Sequence, residues 1–352
     1  MNQIQQQRIG VIDALRAITL LGILLTHTAQ MFCFDNEYNE LTYLESSSIF
    51  HYILVLLSGK CKTIFCILFG VSFYFLLRNP SYSNRKFIWR CIILICFGLI
   101  NKVFYTTEIL MWYGLCGIIL VFFRNIGYKK IIYSSICLYL IFIICKVYSF
   151  RIIEIPERDF YIRYLTDRSI IELMTYPLFD SILDYLYIMF PLGLLETMSL
   201  FLLGYYIGQA GYINNLSKYV TFKIVMLISG IYIGTTLIYH QLFLPYLFSL
   251  NSLIGALAYS IIFIYLYNNL GKSIYSLESY GKMGLTNYTL QNVCGVIFTS
   301  LFFIPLKISA SIVLFCMILF YIIQVIFSSL WMNRHKFGPL EGLWRKITNV
   351  IK

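Results

Sequence analysis

Residues 308–331 read ISASIVLFCMILFYIIQVIFSSLW, a run without one Asp, Glu, Lys, Arg or His. A hydrocarbon core about 30 Å thick is crossed by about 20 helical residues, so this stretch is long and apolar enough to span a bilayer. The pattern repeats outward from it. Apolar runs punctuated by charge occur at 9–34, 49–78, 88–104, 108–123, 131–150, 183–207, 223–242, 246–268 and 285–304, which with 308–331 makes ten candidate spans. The expected fold is therefore all-α: a polytopic integral membrane protein of about ten transmembrane helices. The second run is too long for one straight span, and Gly59-Lys60-Cys61-Lys62 inside it suggests a break or a re-entrant turn.

Composition agrees. The chain of 352 residues is 59% hydrophobic, 18% aromatic and 12% charged, whereas soluble domains carry about 25% charge. A disordered chain would need low hydrophobicity, and a disulfide scaffold would be short with regularly spaced cysteine. The ten cysteines lie mostly in apolar runs, without a CxxC pair or zinc spacing, and read as small hydrophobes; no metal is expected. The net charge of +11 would suggest nucleic acid in a soluble domain. In a membrane protein the basic residues belong at cytoplasmic loops and anionic headgroups, so the partner is the lipid bilayer and no nucleic acid is expected.

Alternating the loops with the N-terminus inside places 17 of the 27 Lys and Arg inside, 6 outside and 4 within spans. The bias puts both termini in the cytoplasm of a multi-pass protein of the cell (plasma or inner) membrane. The outside loop 35–48 carries only acidic charge, and 151–182 is the largest outside segment. The first span keeps Asp13, Arg16 and His27, which a cleaved signal would not, so it reads as retained. No repeat or low-complexity tract appears and the loops are short, so residues 1–352 form one integral domain.

Ionisable groups within a span cost a few kcal/mol each and are functional candidates by default. Arg16 and His27 are eleven positions apart, which returns them to within roughly 20° of one another and about 16 Å apart along the axis. Asp13 precedes Arg16 by one turn, close enough to pair with it and leave the imidazole uncommitted. A near-neutral His can take a proton from an attacking hydroxyl or amine, and a cation half a helix away can hold an anionic donor. An interfacial ion pair and a packed His explain the same residues equally well. Other spans add Lys60, Lys62, Asn101, Glu108, Glu196, Asn287 and Gln291. Asn287 and Gln291 share a helical face, able to bond a substrate or a neighbouring helix. Glu196 needs a cation or a proton. His51 and His240 read as wetted interfacial residues.

Several stretches together resemble the YeiB-like membrane proteins, the domain of unknown function 418: RIGVIDALR (8–16) with LGILLTH (21–27), KCKTIFCILFG (60–70), FGLIN (97–101), EILMWYG (108–114), LLG (202–204) before Gly208, GKMGLTNYTLQ (281–291) and FGPLEGLWR (337–345). They run in order along the chain, with the signature part over about 200–348. That family is similar to the transmembrane acyltransferases of the acyltransferase-3 and heparan-glucosaminide acetyltransferase groups. The resemblance implies transfer of an acyl group from cytosolic acyl-CoA, most simply acetyl-CoA, to an envelope glycan or lipid acceptor. It implies His27 as general base, Glu108 orienting it, Arg16 with Lys60 or Lys62 attracting the donor's phosphates, and Asn101, Asn287 and Gln291 orienting substrate or polarising the thioester carbonyl. Glu196 would line the same cavity. The family pattern has Asn where this chain has His27 and His where it has Asn101, an exchange natural for two positions facing one polar site; its Asp is here Glu108. A transporter or flippase of a small anion or lipid-linked substrate would use the same polar interior without chemistry. A receptor or assembly partner would make the polar groups structural.

Overall fold

The computed structural model describes residues 10–33, 49–50, 52–80, 82–102, 104, 108–152, 190–242, 245–270, 274–298 and 308–350. The acidic loop 35–48, residues 153–182 of the largest outside segment, His51 and the side chain of His240 lie outside them. Every regular element among the described residues is helical.

The helices are α1 (Gly10–Cys33), α2 (Lys60–Leu77), α3 (Asn84–Lys102), α4 (Leu110–Leu120), α5 (Tyr128–Ile152), α6 (Phe190–Gln209), α7 (Phe222–Leu242), α8 (Pro245–Asn269), α9 (Tyr275–Lys282), α10 (Gly284–Phe298), α11 (Ala310–Arg334) and α12 (Pro339–Thr348). Seven helices are long and apolar enough to cross a membrane: those at 10–29, 52–77, 128–148, 191–209, 222–239, 247–269 and 310–334. The other three runs read as spans are also helical but fall short of that standard. α3 carries Arg85, Lys86, Arg90 and Lys102, and α4 with its 3-10 extension ends after Leu110–Phe123. α10 is 15 residues long as described, its expected continuation lying beyond residue 298.

The break expected in the second run is present. Helix 52–57 stops, Ser58 and Gly59 turn, and α2 starts at Lys60. Gly59 has φ 74°, a conformation that L side chains rarely adopt, so this turn calls for glycine.

α2 is the centre of the packing, against α6, α1 and α8; α5 covers α6, and α7 lies outermost on α8. Aromatic rings fill the seam between α2, α4 and α6: Phe69–Tyr113 centroids are 4.6 Å apart, Tyr113–Phe201 5.1 Å and Phe73–Phe201 5.7 Å. The chain's aromatic excess thus serves packing there. Cys66 and Cys116 are buried in the same core as small hydrophobes.

The two ends of the chain meet at α1, which packs on α9, α10 and α11. A Cβ on Gly281 would run into the backbone carbonyl of Asp13, so only glycine lets α9 approach α1 this closely. α12 crosses to α3, where the Trp344 indole N–H donates to the Arg90 carbonyl at 2.9 Å and the Arg90 guanidinium lies 3.7 Å from the Trp344 ring centroid.

Candidate functional site

The polar residues of α1 divide between its two ends. Arg16 pairs with Asp13, as their spacing expects, and donates to Ser72 Oγ on α2 at 2.5 Å. Eleven residues along, His27 enters a different environment made by α3, α10 and the segment preceding α4.

Glu108 organises that environment. It precedes α4 and accepts the Leu110 backbone N–H at 2.6 Å, satisfying a donor that the helix start leaves without an intrahelical partner. Its other oxygen accepts from Asn101 Nδ2 of α3, from Tyr288 OH at 3.4 Å and from Asn292 Nδ2 at 3.5 Å. Asn101, Glu108, Tyr288 and Asn292 are all buried to 2% exposure or less. An isolated carboxylate at such depth would be costly; this one is surrounded by donors from three helices.

The network fixes the histidine. With its amide N–H directed to Glu108, Asn292 presents Oδ1 to His27 Nδ1 at 3.3 Å. Oδ1 can only accept, so this contact calls for a proton on Nδ1; in the neutral imidazole Nε2 then has the lone pair, the tautomer a general base needs. The Tyr288 ring holds the imidazole edge-on, centroids 6.3 Å apart. Glu108 therefore reaches His27 through Asn292. Asn101 donates to the same carboxylate, so Asn101 and His27 belong to one hydrogen-bonded network through Glu108 and Asn292. Asn101 Oδ1 is buried without a hydrogen-bond partner among the described residues.

Asn287 and Gln291 turn away from this site. Asn287 Nδ2 donates to the Tyr280 carbonyl at 3.1 Å and to Ser328 Oγ at 3.0 Å. Gln291 Nε2 donates to Tyr280 OH at 2.7 Å, and Tyr280 OH to Gln324 Oε1 at 3.1 Å. Their partners lie on α9 and α11, which is the helix-to-helix role the sequence left open.

Lys60, Lys62 and Glu196 have other partners. Lys62 pairs with Glu196 on α6 at 2.7 Å, supplying the cation that carboxylate required. Lys60, 1% exposed, donates to the Val55 carbonyl at 2.7 Å. Arg16 does not join them: its partner Ser72 lies ten residues along α2 from Lys62, about 15 Å.

Sequence reasoning missed Asn292 and Tyr288. Each follows a singled-out residue by one position, and together they make an i, i+4 polar pair of their own. It also left Lys146 unassigned. The α12 signature, by contrast, explains itself: Glu341 accepts the Leu285 and Thr286 backbone N–H groups at 2.7 and 3.1 Å and the Thr286 hydroxyl at 2.6 Å, capping the helix that carries Tyr288 and Asn292. Among the described residues no group of three or more His, Cys, Asp or Glu could hold a metal ion.

Residues 211–351 match a protein family described as a protein of unknown function, DUF418. Over its whole length the chain is similar to two curated bacterial proteins. It is 25% identical to an uncharacterized 39.9 kDa protein in the amylase 3' region of Bacillus acidopullulyticus, covering 97% of this chain and 94% of the relative. It is 24% identical to the uncharacterized protein YxaH of Bacillus subtilis (strain 168), with the same coverage. No solved structure matches significantly.

Proposed function

We propose, for a chain whose residues 211–351 carry the DUF418 family match, that it is a membrane acyltransferase moving an acetyl or other acyl group from cytosolic acyl-CoA to a hydroxyl or amine on an envelope glycan or lipid. In this reading the chain crosses the cell membrane about ten times with both termini in the cytoplasm, the orientation favoured by the lysine and arginine bias of its loops. The observation that carries the proposal is the Glu108–Asn292–His27 relay, in which a buried carboxylate sets an amide that sets an imidazole.

The chemistry follows directly. His27 Nε2 removes the proton from the acceptor, whose oxygen or nitrogen attacks the thioester carbonyl; the C–S bond breaks and the coenzyme A thiolate leaves, taking a proton in turn. Glu108 and Asn292 are positioning residues, and Asn101 Oδ1, buried without a partner among the described residues, accepts from the acceptor. Arg16, on the cytoplasmic half of α1, attracts the donor. An apolar cavity of about 270 Å³ between α1, α2 and α8, lined by Leu15, Gly22, Leu57, Cys61 and Phe263, suits an alkyl chain and favours a lipid acceptor.

The test is incorporation of labelled acetyl from acetyl-CoA into the envelope fraction of membranes carrying the wild-type chain, His27→Ala, or no added protein. Loss of a general base lowers the rate about 10²–10⁴-fold, so His27→Ala falls to the empty-membrane level while still inserting. Equal signal in all three would remove acetyl transfer. The double exchange His27→Asn with Asn101→His recovers part of what each single exchange loses; an inactive double beside active singles would sink the shared site. A transporter is the second reading. The break at Gly59 favours it, because discontinuous helices commonly bind substrate near the membrane midplane.

A further inference from the structure

The start of α2 lies inside the membrane-spanning region, and what surrounds it differs from the His27 site. Gly59 ends the preceding turn, and among the described residues no side chain caps the start of α2, whose first-turn N–H groups have no partner within the helix. Phe248 of α8 lies against Gly59 and is flanked by two ammonium groups, Lys60 Nζ and Lys146 Nζ, each 5.7 Å from the ring centroid. Lys146 reaches in from α5 and donates to Ser249 Oγ at 2.7 Å. Lys60 and Lys146 thus share the Phe248 ring, and Lys146 lies within electrostatic reach of the Lys62–Glu196 pair.

Ser252 supplies the independent observation. Its side chain is 3% exposed, sits against Gly59, and its hydroxyl has no hydrogen-bond partner among the described residues. Other hydroxyls here turn back onto their own helix: Thr19, Thr26, Thr28, Ser72 and Ser260 each donate to the carbonyl four residues earlier. Ser252 does not, although the same bond is open to a helical serine. Its hydroxyl is left directed at the start of α2.

We infer that the start of α2, with Ser252, Lys60 and Lys146, binds the phosphate group of an anionic lipid. The helix start, a hydroxyl against Gly59 and two ammonium groups about the adjoining Phe248 ring offer donors from several directions, which suits a tetrahedral oxyanion better than a planar carboxylate. The lipid is favoured over a free ion by continuity: Leu57 and Cys61, which bracket Gly59, also line the apolar cavity between α1, α2 and α8, so an alkyl chain and its headgroup would lie side by side. The inference stands apart from acyl transfer, since binding is read without turnover.

The experiment uses the full chain purified in a neutral detergent. Its melting temperature is followed against inorganic phosphate, with chloride at matched ionic strength as control, and against micelles doped with short-chain phosphatidic acid or with diacylglycerol of the same chains. Saturable stabilisation by phosphatidic acid, absent with diacylglycerol, is expected; inorganic phosphate alone stabilises only at higher concentration. Ser252→Ala and Lys60→Gln each weaken the apparent affinity by about tenfold or more, the loss of a hydrogen bond to a charged group. Glu196→Gln tightens it by removing the competing carboxylate. Stabilisation by inorganic phosphate equal to that by phosphatidic acid would overturn the lipid assignment. No saturable effect beyond ionic strength, or Ser252→Ala binding as wild type, would overturn the site. Should Lys60→Gln fail to fold, Ser252→Ala and Glu196→Gln decide the matter, because they change affinity in opposite directions.

Discussion

Two pairs of residues on α10 look alike in sequence and differ in what they meet. Asn287 and Gln291 are four apart, as are Tyr288 and Asn292, one position on. The first pair bonds Tyr280, Ser328 and, through Tyr280, Gln324 on the neighbouring helices α9 and α11. The second bonds Glu108, and Asn292 also bonds His27. One face closes a contact between helices; the other closes a network around an imidazole that belongs to the opposite end of the chain. The helical period says which residues share a face, and the packing partner decides whether that face is glue or chemistry.

The comparison can be broken by changing one member of each face. Asn292→Leu removes the amide between Glu108 and His27 and leaves the imidazole free to take either tautomer. Activity should fall by about 10²-fold, or about 2.7 kcal/mol of transition-state stabilisation. Labelled-acetyl incorporation per mole of folded protein measures it, and an unchanged rate would show that the relay does not serve the base. Asn287→Leu works in the other direction. It leaves Ser328 and the Tyr280 carbonyl without their donor, which costs about 1–3 kcal/mol per unsatisfied buried group, so melting temperature drops while activity per folded molecule holds. If Asn287→Leu abolishes activity without changing stability, the two faces have been assigned the wrong way round.

How much of this was legible in advance follows from the range of each interaction. The Asp13–Arg16 pair is local, three positions apart, and was readable. So was the break in the second run, because Gly59 beside two lysines interrupts an apolar stretch. The grouping of Arg16 with Lys60 and Lys62 was not readable, since it depends on how far α1 slides along α2, and the answer places Arg16 beside Ser72. Asn292 was passed over because a single amide beside a tyrosine looks less polar than the Asn287–Gln291 pair; only contact with Glu108, 184 positions earlier, gives it a role. The expectation that Glu108 orients His27 did not include the amide between them, because Asn292 bonds both the Glu108 carboxylate and the imidazole. The spans behaved the same way. Long uncharged runs such as 308–331 were unmistakable, whereas α3, α4 and α10 are helices whose charge or length stops short of a full span.

Glu341 tests whether both faces of α10 depend on a common support. Its carboxylate caps the helix N-terminus from α12, and burial pushes its carboxyl above the usual carboxylate range, opposed by the donors of Leu285 and Thr286. A carboxyl raised in the folded state binds its proton more tightly folded than unfolded. The stability it contributes is therefore complete below the unfolded value of about 4.3 and is lost as pH rises through the higher folded value. Wild-type melting temperature should decline over that interval. Glu341→Gln keeps an acceptor for the helix start and has no charge to bury, so its melting temperature should lack that decline, with both faces of α10 intact and activity unchanged at neutral pH. This is the smallest of the three effects, because a single partly compensated carboxylate is exchanged for its isostere. Parallel pH curves for the two proteins would mean that the cap is wetter than its burial indicates, and α10 would then owe its placement to α1 and α9 rather than to the α12 signature.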